Sequence, residues 1–395
     1  MSIQLSIGLS VSRDPLTAAK EALRQAQANL IDEANLAFLF TTPDLTDAAV
    51  ANLIYPALKG KPPLIGCSSA ALLCKNEIFK HGLMLLLLRL PPEAYVYNAC
   101  VENLSAKSGL SAGVELGEKL LSGFRSNTRR DLGLLFTDGL NTDNTNLALG
   151  LQEKLGLSFP LVGASASDNL RYANTYLYFN RQLFSQACAG MLFGGKINFA
   201  IGSRHGWKPL GKPRTVTKAK DNIVFEIDGR PAAKLYEDYF TRSRTDLKKE
   251  LRRLSISYPL GISLPQEQEC LLRSIFAIPD DGSLVFQGNV PPESQVRLMI
   301  ATQESCLEAT RQATAKVLET LPHPDFLLVF SSISRYILLG GSAIKELEVI
   351  KTQLGEDLPA IGIYTYGEQA PLTGAHFKGK TDFRNQTVTL LALQG

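Results

Sequence analysis

The apolar positions change period along this chain in a recurring order. "IQLSIGLSVS" from residue 3 reads as a strand, and "DPLTAAKEALRQAQANL" from residue 14 reads as a helix. Asp14 is placed to cap that helix, Pro15 sits at its first position, and its apolar residues fall at helical spacing. The strand "LAFLF", a helix from about Asp44 to Leu58, and the strands "PLIGC" and "GLMLLLL" follow. The order then repeats as "AYVYNACV", "GLSAGVELGEKLLSGF", "DLGLLFTDG", "NTNLALGLQEKLG", "FPLVGA" and "CAGMLFGG". A third copy runs from "QVRLMIAT" through "SCLEATRQATAKVLETL", "FLLVFSS", "AIKELEVIKTQLG" and "PAIGIYTYGE" to "QTVTLLAL". Strands alternating with helices predict an α/β fold of mixed sheets with packed helices, built from recurring strand-helix-strand-helix-strand-strand units.

A length of 395 residues exceeds one ordinary core, so two domains are expected. Residues 1–197 hold the first two units. Near residue 198 the pattern changes to a basic stretch, "IGSRHGWKPLGKPRTVTKAK", followed by "VFEIDG" and a helix opening at Pro231. Residues 198–395 are therefore read as a second domain carrying inserted elements. The longest apolar run, "GLMLLLLRLP", is too short to span a bilayer and reads as a buried strand.

Composition narrows the function classes. Apolar residues make up 45% and charged residues 20%, with a net charge of +3. That is a globular composition without the concentrated basic field of a nucleic-acid binder. The stretch "RSRTDLKKELRR" reads as a solvated helix face. The start of the chain lacks a basic-then-apolar leader pattern, which points to the cytoplasm without membrane insertion. Six dispersed cysteines form no CxxC pair and argue against a disulfide framework or a zinc site. No Walker or dinucleotide fingerprint occurs, so neither a cofactor nor a metal is expected.

Polar residues gather just past the strand ends, where ligands meet mixed α/β sheets. "PLIGCSSA" at 63–70 and "PLVGASAS" at 160–167 are near copies. Cys67 or Ser68 is a candidate nucleophile, which requires a base in reach. Only His81, His205, His323 and His376 are available, none in a catalytic signature, and the second copy replaces the cysteine with Ala164. Ser68 and Ser167 are instead candidate ligand contacts. Asp138 and Asn141 in "FTDGLNTDN", and Asp168 and Asn169 in "GASASDN", are candidates to receive a cationic group, while Asp143 is placed to cap a helix. Arg335 in "VFSSISRYILLG" is expected to face water, Glu368 or a ligand carboxylate. Glu368 closes "IGIYTYGE" and could pair with Arg335 or hold a ligand ammonium group.

These motifs resemble those of the FIST family, the sensory domains named for F-box and intracellular signal transduction proteins. "IGCSSA", "LLFTDGLN" and "LVGASASDN" match its N-terminal domain. "VFEIDGRPAAKLYEDY", "FSSISRYILLG", "IGIYTYGEQAPL" and "NQTVTLLAL" match its C-terminal domain. The resemblance implies a small-ligand sensing module, with amino acids or related small carboxylates as ligands and a protein partner supplying the signalling output. Relatives are fused to kinases, chemoreceptors, cyclic-dinucleotide enzymes or an F-box. The family pattern F-S-C-x-G-R is altered here, with Ser332 and Ser334 at the cysteine and glycine positions and Arg335 retained. Two other functions stay open on the sequence: an acyl-transfer or hydrolytic enzyme using Cys67 or Ser68, and an adaptor without a small ligand.

Overall fold

A computed structural model describes residues 2–30, 33–267, 269–372 and 379–395. His376 lies outside the described residues. Three copies of one unit account for most of the chain. The four main strands of the first are Gln4–Ser10, Leu36–Thr41, Leu64–Ser68 and Leu83–Arg89, with helices Pro15–Ala28 and Ala48–Ala57 between them. The second unit has strands Tyr95–Val101, Arg130–Thr137, Leu161–Ser165 and Cys188–Gly194, with helices Gly109–Gly123 and Asn144–Leu155. The third has strands Asn198–Arg204, Phe326–Ser332, Ala360–Thr365 and Val388–Gln394, with helices Gln303–Thr320, Ile333–Leu339 and Lys345–Leu354.

In each unit the strands lie in the order first, fourth, second, third, and the second and third run parallel. Each sheet is then extended by a short pair of strands from another unit. The first unit's sheet receives Leu177–Phe179 and Gln182–Phe184 from the second unit. The second receives Gly367–Pro371 and Thr381–Arg384 from the third, and the third receives Leu72–Cys74 and Glu77–Phe79 from the first. The exchange is cyclic and ties the three units into one body.

Alternate residues of each strand serve different cores. Leu36, Phe38 and Phe40 point inward with Leu132, Leu134, Phe136 and Phe326, Leu328, Phe330 into one shared centre. Ala37 and Leu39 face the first unit's helices, Leu135 faces the second unit's, and Leu327 and Val329 face the third's. Burial on both faces is why these strands read as unbroken apolar runs. The Phe40 and Phe136 rings meet edge to face at 5.7 Å, and those of Phe136 and Phe330 at 5.8 Å, so equivalent positions of three units converge.

The repeat extends to single atoms. Pro63, Pro160 and Pro359 each offer a carbonyl to the amide of the preceding strand, at 3.0, 3.0 and 2.9 Å. The glycine three residues on, Gly66, Gly163 or Gly362, is required for a close approach. A Cβ there would lie 1.8, 1.9 or 2.4 Å from the carbonyl oxygen of Leu39, Leu135 or Val329.

One large element breaks the repetition. Between the third unit's first strand and its first helix, residues 208–300 form an antiparallel sheet. Its strand order is Leu271–Arg273, Leu260–Ile262, Gln295–Ile300, Lys208–Lys220, Ile223–Ile227, Leu284–Phe286 and Ile275–Ala277. The two ends of that order are separated in sequence only by Ser274, so the sheet closes into a small barrel around Val216, Val224, Leu260, Phe286 and Leu298.

Several elements differ from the sequence reading. Residues 295–302 were expected to open the third unit, but Gln295–Ile300 closes the barrel, and the opening strand is Asn198–Arg204. The helix expected at Pro231 starts at Lys234, because Pro231 pairs with Glu226 in a strand bridge. The helix expected from about Asp44 starts at Ala48, capped by Asp47, after a short 3-10 turn at Pro43–Leu45.

Candidate functional site

The two matched loops meet each other. The Ser68 hydroxyl donates to the Ser167 carbonyl at 3.1 Å and accepts from the Tyr176 amide. Ser167 Oγ accepts from the Ala70 amide at 2.8 Å and donates to the Tyr364 carbonyl, which Ser69 also reaches at 3.0 Å. Strand exits of all three units thus interlock, and Ser68, Ser69 and Ser167 are buried. Small side chains allow the backbones to approach, and their hydroxyls satisfy the carbonyls and amides that approach strips of water. Cys67 is fully buried in the central core, and burial pushes its thiol pKa up, away from the thiolate a nucleophile needs.

The acidic candidates anchor one segment. Asp138 accepts from the Leu140 and Gln186 amides and from Thr175 Oγ1 at 2.6 Å. Asp168 accepts from the amides of Tyr172, Ala173 and Asn174 and from the Tyr366 hydroxyl. Asn169, exposed and left-handed with φ 64°, starts the turn that Asp168 organises. Asn141 donates to Asn144 and, with Asp138, lines an open hollow of about 280 Å³. Asp143 occupies the N-cap position of Asn144–Leu155, yet its carboxylate accepts from Gly109 N–H, the first residue of the neighbouring helix. Among the described residues no group of three or more His, Cys, Asp and Glu side chains is placed to hold a metal ion.

Arg335 and Glu368 are not joined. Arg335 lies inside the Ile333–Leu339 helix and is fully buried. Its guanidinium donates to Glu346 Oε1 at 2.6 and 2.9 Å, to the His205 carbonyl at 2.6 Å, to the Cys306 carbonyl at 2.9 Å and to Thr310 Oγ1 at 2.8 Å. Burial opposes its charge, but the Glu346 carboxylate outweighs that and raises its pKa. Glu346 also accepts from Ser331. The expected partner, Glu368, instead bonds Thr365 and Thr387. Burial pushes the Glu368 pKa up to about 8 against those hydrogen bonds.

An open cleft lies beside the His205 segment and the helix turn whose carbonyls Arg335 holds. A cleft of about 840 Å³ separates the barrel from the N-terminal half of the Gln303–Thr320 helix. His205, Trp207, Lys208, Glu269, Gln303 and Lys345 are among its walls. His205 is held in one neutral form. Its Nδ1 accepts from the Trp207 amide at 2.8 Å, so Nε2 carries the hydrogen donated to the Cys270 carbonyl at 3.0 Å. Burial lowers its pKa, with Glu269 opposing. Arg335 grips the carbonyls of His205 and Cys306 from beneath and so fixes two walls of the cleft. Sequence reasoning missed these wall residues. The available signal was the chain's single tryptophan, in "RHGWK", where the repeat breaks.

The fold is an array of three α/β units wound into one body, with a barrel inserted beside an open cleft. The chain belongs to the FIST family. The FIST N domain is matched over residues 35–230 and the FIST C domain over residues 232–371. FIST domains are small-molecule sensory modules. An uncharacterised protein of Mycobacterium tuberculosis is 24% identical over 384 residues, spanning 94% of this chain and 96% of the relative. An uncharacterised protein of Methanocaldococcus jannaschii is 25% identical over 214 residues, 50% of this chain and 41% of its own. The crystal structure of a chorismatase aligns over 100% of this chain and 99% of its own, with a TM-score of 0.38 and 9% identity. Among the described residues no helix is long and apolar enough to cross a membrane.

Proposed function

We propose that this protein is a sensor whose small ligand, an amino acid or related carboxylate, lodges in the cleft between the barrel and the third unit and is reported to a partner protein. The observation that carries this reading is positional. The molecule repeats itself threefold except where the barrel enters, and the 840 Å³ cleft lies at that break. Ligand sites favour such junctions between substructures, and this volume falls within the usual range of about 300–1,000 Å³. The strand-exit serines and carboxylates spend their hydrogen bonds on backbone groups, Thr175 and Tyr366, as joints of the scaffold do. Cys67, the thiol named for the enzymatic alternative, is sealed in the core.

A thermal-denaturation screen against amino acids and central metabolites tests the reading. A ligand at about 100 times its Kd adds about 2.7 kcal/mol to stability and raises the midpoint. A true ligand of the cleft also changes the emission of Trp207, the chain's one tryptophan. A panel in which no compound moves either signal contradicts the proposal.

A further inference from the structure

Resting on that reading, we infer that the cleft selects acidic ligands, seating an anionic group at the start of the Gln303–Thr320 helix between Lys208 and Lys345. The helix itself begins the argument. Thr302 and Ser305 form a reciprocal cap, with the Ser305 amide on Thr302 Oγ1 at 3.1 Å and the Thr302 amide on Ser305 Oγ at 2.9 Å. That leaves the amides of Gln303 and Glu304, at the positive end of an 18-residue helix, to be met from outside. Thr302, Gln303, Glu304 and Ser305 all line the cleft.

The charges around it are unevenly spent. Among the acids of the wall, Glu308 is paired with Arg311, and Glu269 lies 3.8 Å from His205 and 4.0 Å from Arg204. Lys208 and Lys345 are exposed, line the same cleft, and have no carboxylate within ion-pair distance among the described residues. Two unspent ammonium groups and a helix N-terminus face two acids, Glu304 of the first turn and Glu269, whose cation Arg204 lies 4.0 Å away. Trp207 is a second, independent indication. It is 3% exposed, it lines the cleft, and its indole N–H is a buried donor without an acceptor among the described residues. Such a donor carries an uncompensated cost in the wall of the cleft itself. A carboxylate and a phosphate share this chemistry.

The test titrates the whole protein at constant ionic strength and follows Trp207 emission. The probes are succinate and citrate in one arm, inorganic phosphate and glycerol 3-phosphate in a second, and L-alanine and glycerol in a third. The same titrations are run on the Lys208→Gln/Lys345→Gln double variant, whose exposed positions leave the fold intact. The inference expects saturable changes with one or both anionic arms and weakening of roughly tenfold or more in the variant. The stronger arm identifies carboxylate or phosphate as the natural group. Binding of L-alanine or glycerol in preference to the anions, or equal anion affinity in the variant, overturns the acidic selectivity and leaves the sensor reading standing. If the six probes and the wider metabolite panel all leave Trp207 unmoved, both fall.

Discussion

Arg335 shows how much one side chain can hold. It joins a strand end, two helices and the floor of the cleft, and its partner Glu346 is as deeply buried as it is. Arg335→Ala strands that carboxylate in the interior, so stability falls by roughly 3–5 kcal/mol. Chemical denaturation measures this, and an unchanged midpoint would show that the pair is not the clamp described. Glu368 makes a second residue-scale prediction. Its pKa is pushed up to about 8 from an ordinary 4.5, so the folded state keeps a proton that the unfolded chain gives up first. The stability this contributes is fully present below about pH 4.5 and is lost as pH rises through about 8. Glu368→Gln removes the titrating group from among Thr365 and Thr387, which both donate to the carboxylate, so this part of the pH dependence disappears. Matched pH–stability curves check it, and parallel curves would contradict it. The sequence suggested neither arrangement. Arg335 stands next to a strand exit in sequence, but the short helix turns it back toward a glutamate eleven residues on, and only tertiary packing decides that.

Among the elements, the long strands were legible and the short ones were not. Runs such as "LAFLF" and "FLLVF" are apolar throughout because one face meets the common centre and the other meets helices. Leu72–Cys74, Leu177–Phe179 and Gly367–Pro371 are three to five residues long and pair with strands of another unit, so no local period announces them. The matched "PLIGCSSA" and "PLVGASAS" were visible as a repeat, but not that Ser68 and Ser167 hydrogen-bond across the units. "PAIG" at 359–362 completes the set. The glycine of this motif gives an element-scale prediction. In Gly163→Ala the new methyl would lie 1.9 Å from the Leu135 carbonyl oxygen, and parallel strands must part to admit it. A loss of roughly 1–3 kcal/mol or more is expected by urea unfolding, and a neutral substitution would show that the approach is not tight.

For the whole molecule, three equivalent units make a rigid frame, and the inserted barrel makes one place unlike the rest. The barrel is fastened to the frame by buried polar contacts. Arg273 reaches the Phe383 carbonyl at 2.8 Å and Asp382 at 3.1 Å, and Gln386 reaches Ser255 and Ser274. These contacts join the barrel to the frame on the side of Thr381–Arg384. The most direct measurement is a crystal structure with the compound that stabilises the protein most. The account predicts that compound in the 840 Å³ cleft, against Trp207 and the first turn of the Gln303–Thr320 helix. A ligand seated in the smaller hollow beside Asp138 and Asn141, with the cleft unoccupied, would contradict it.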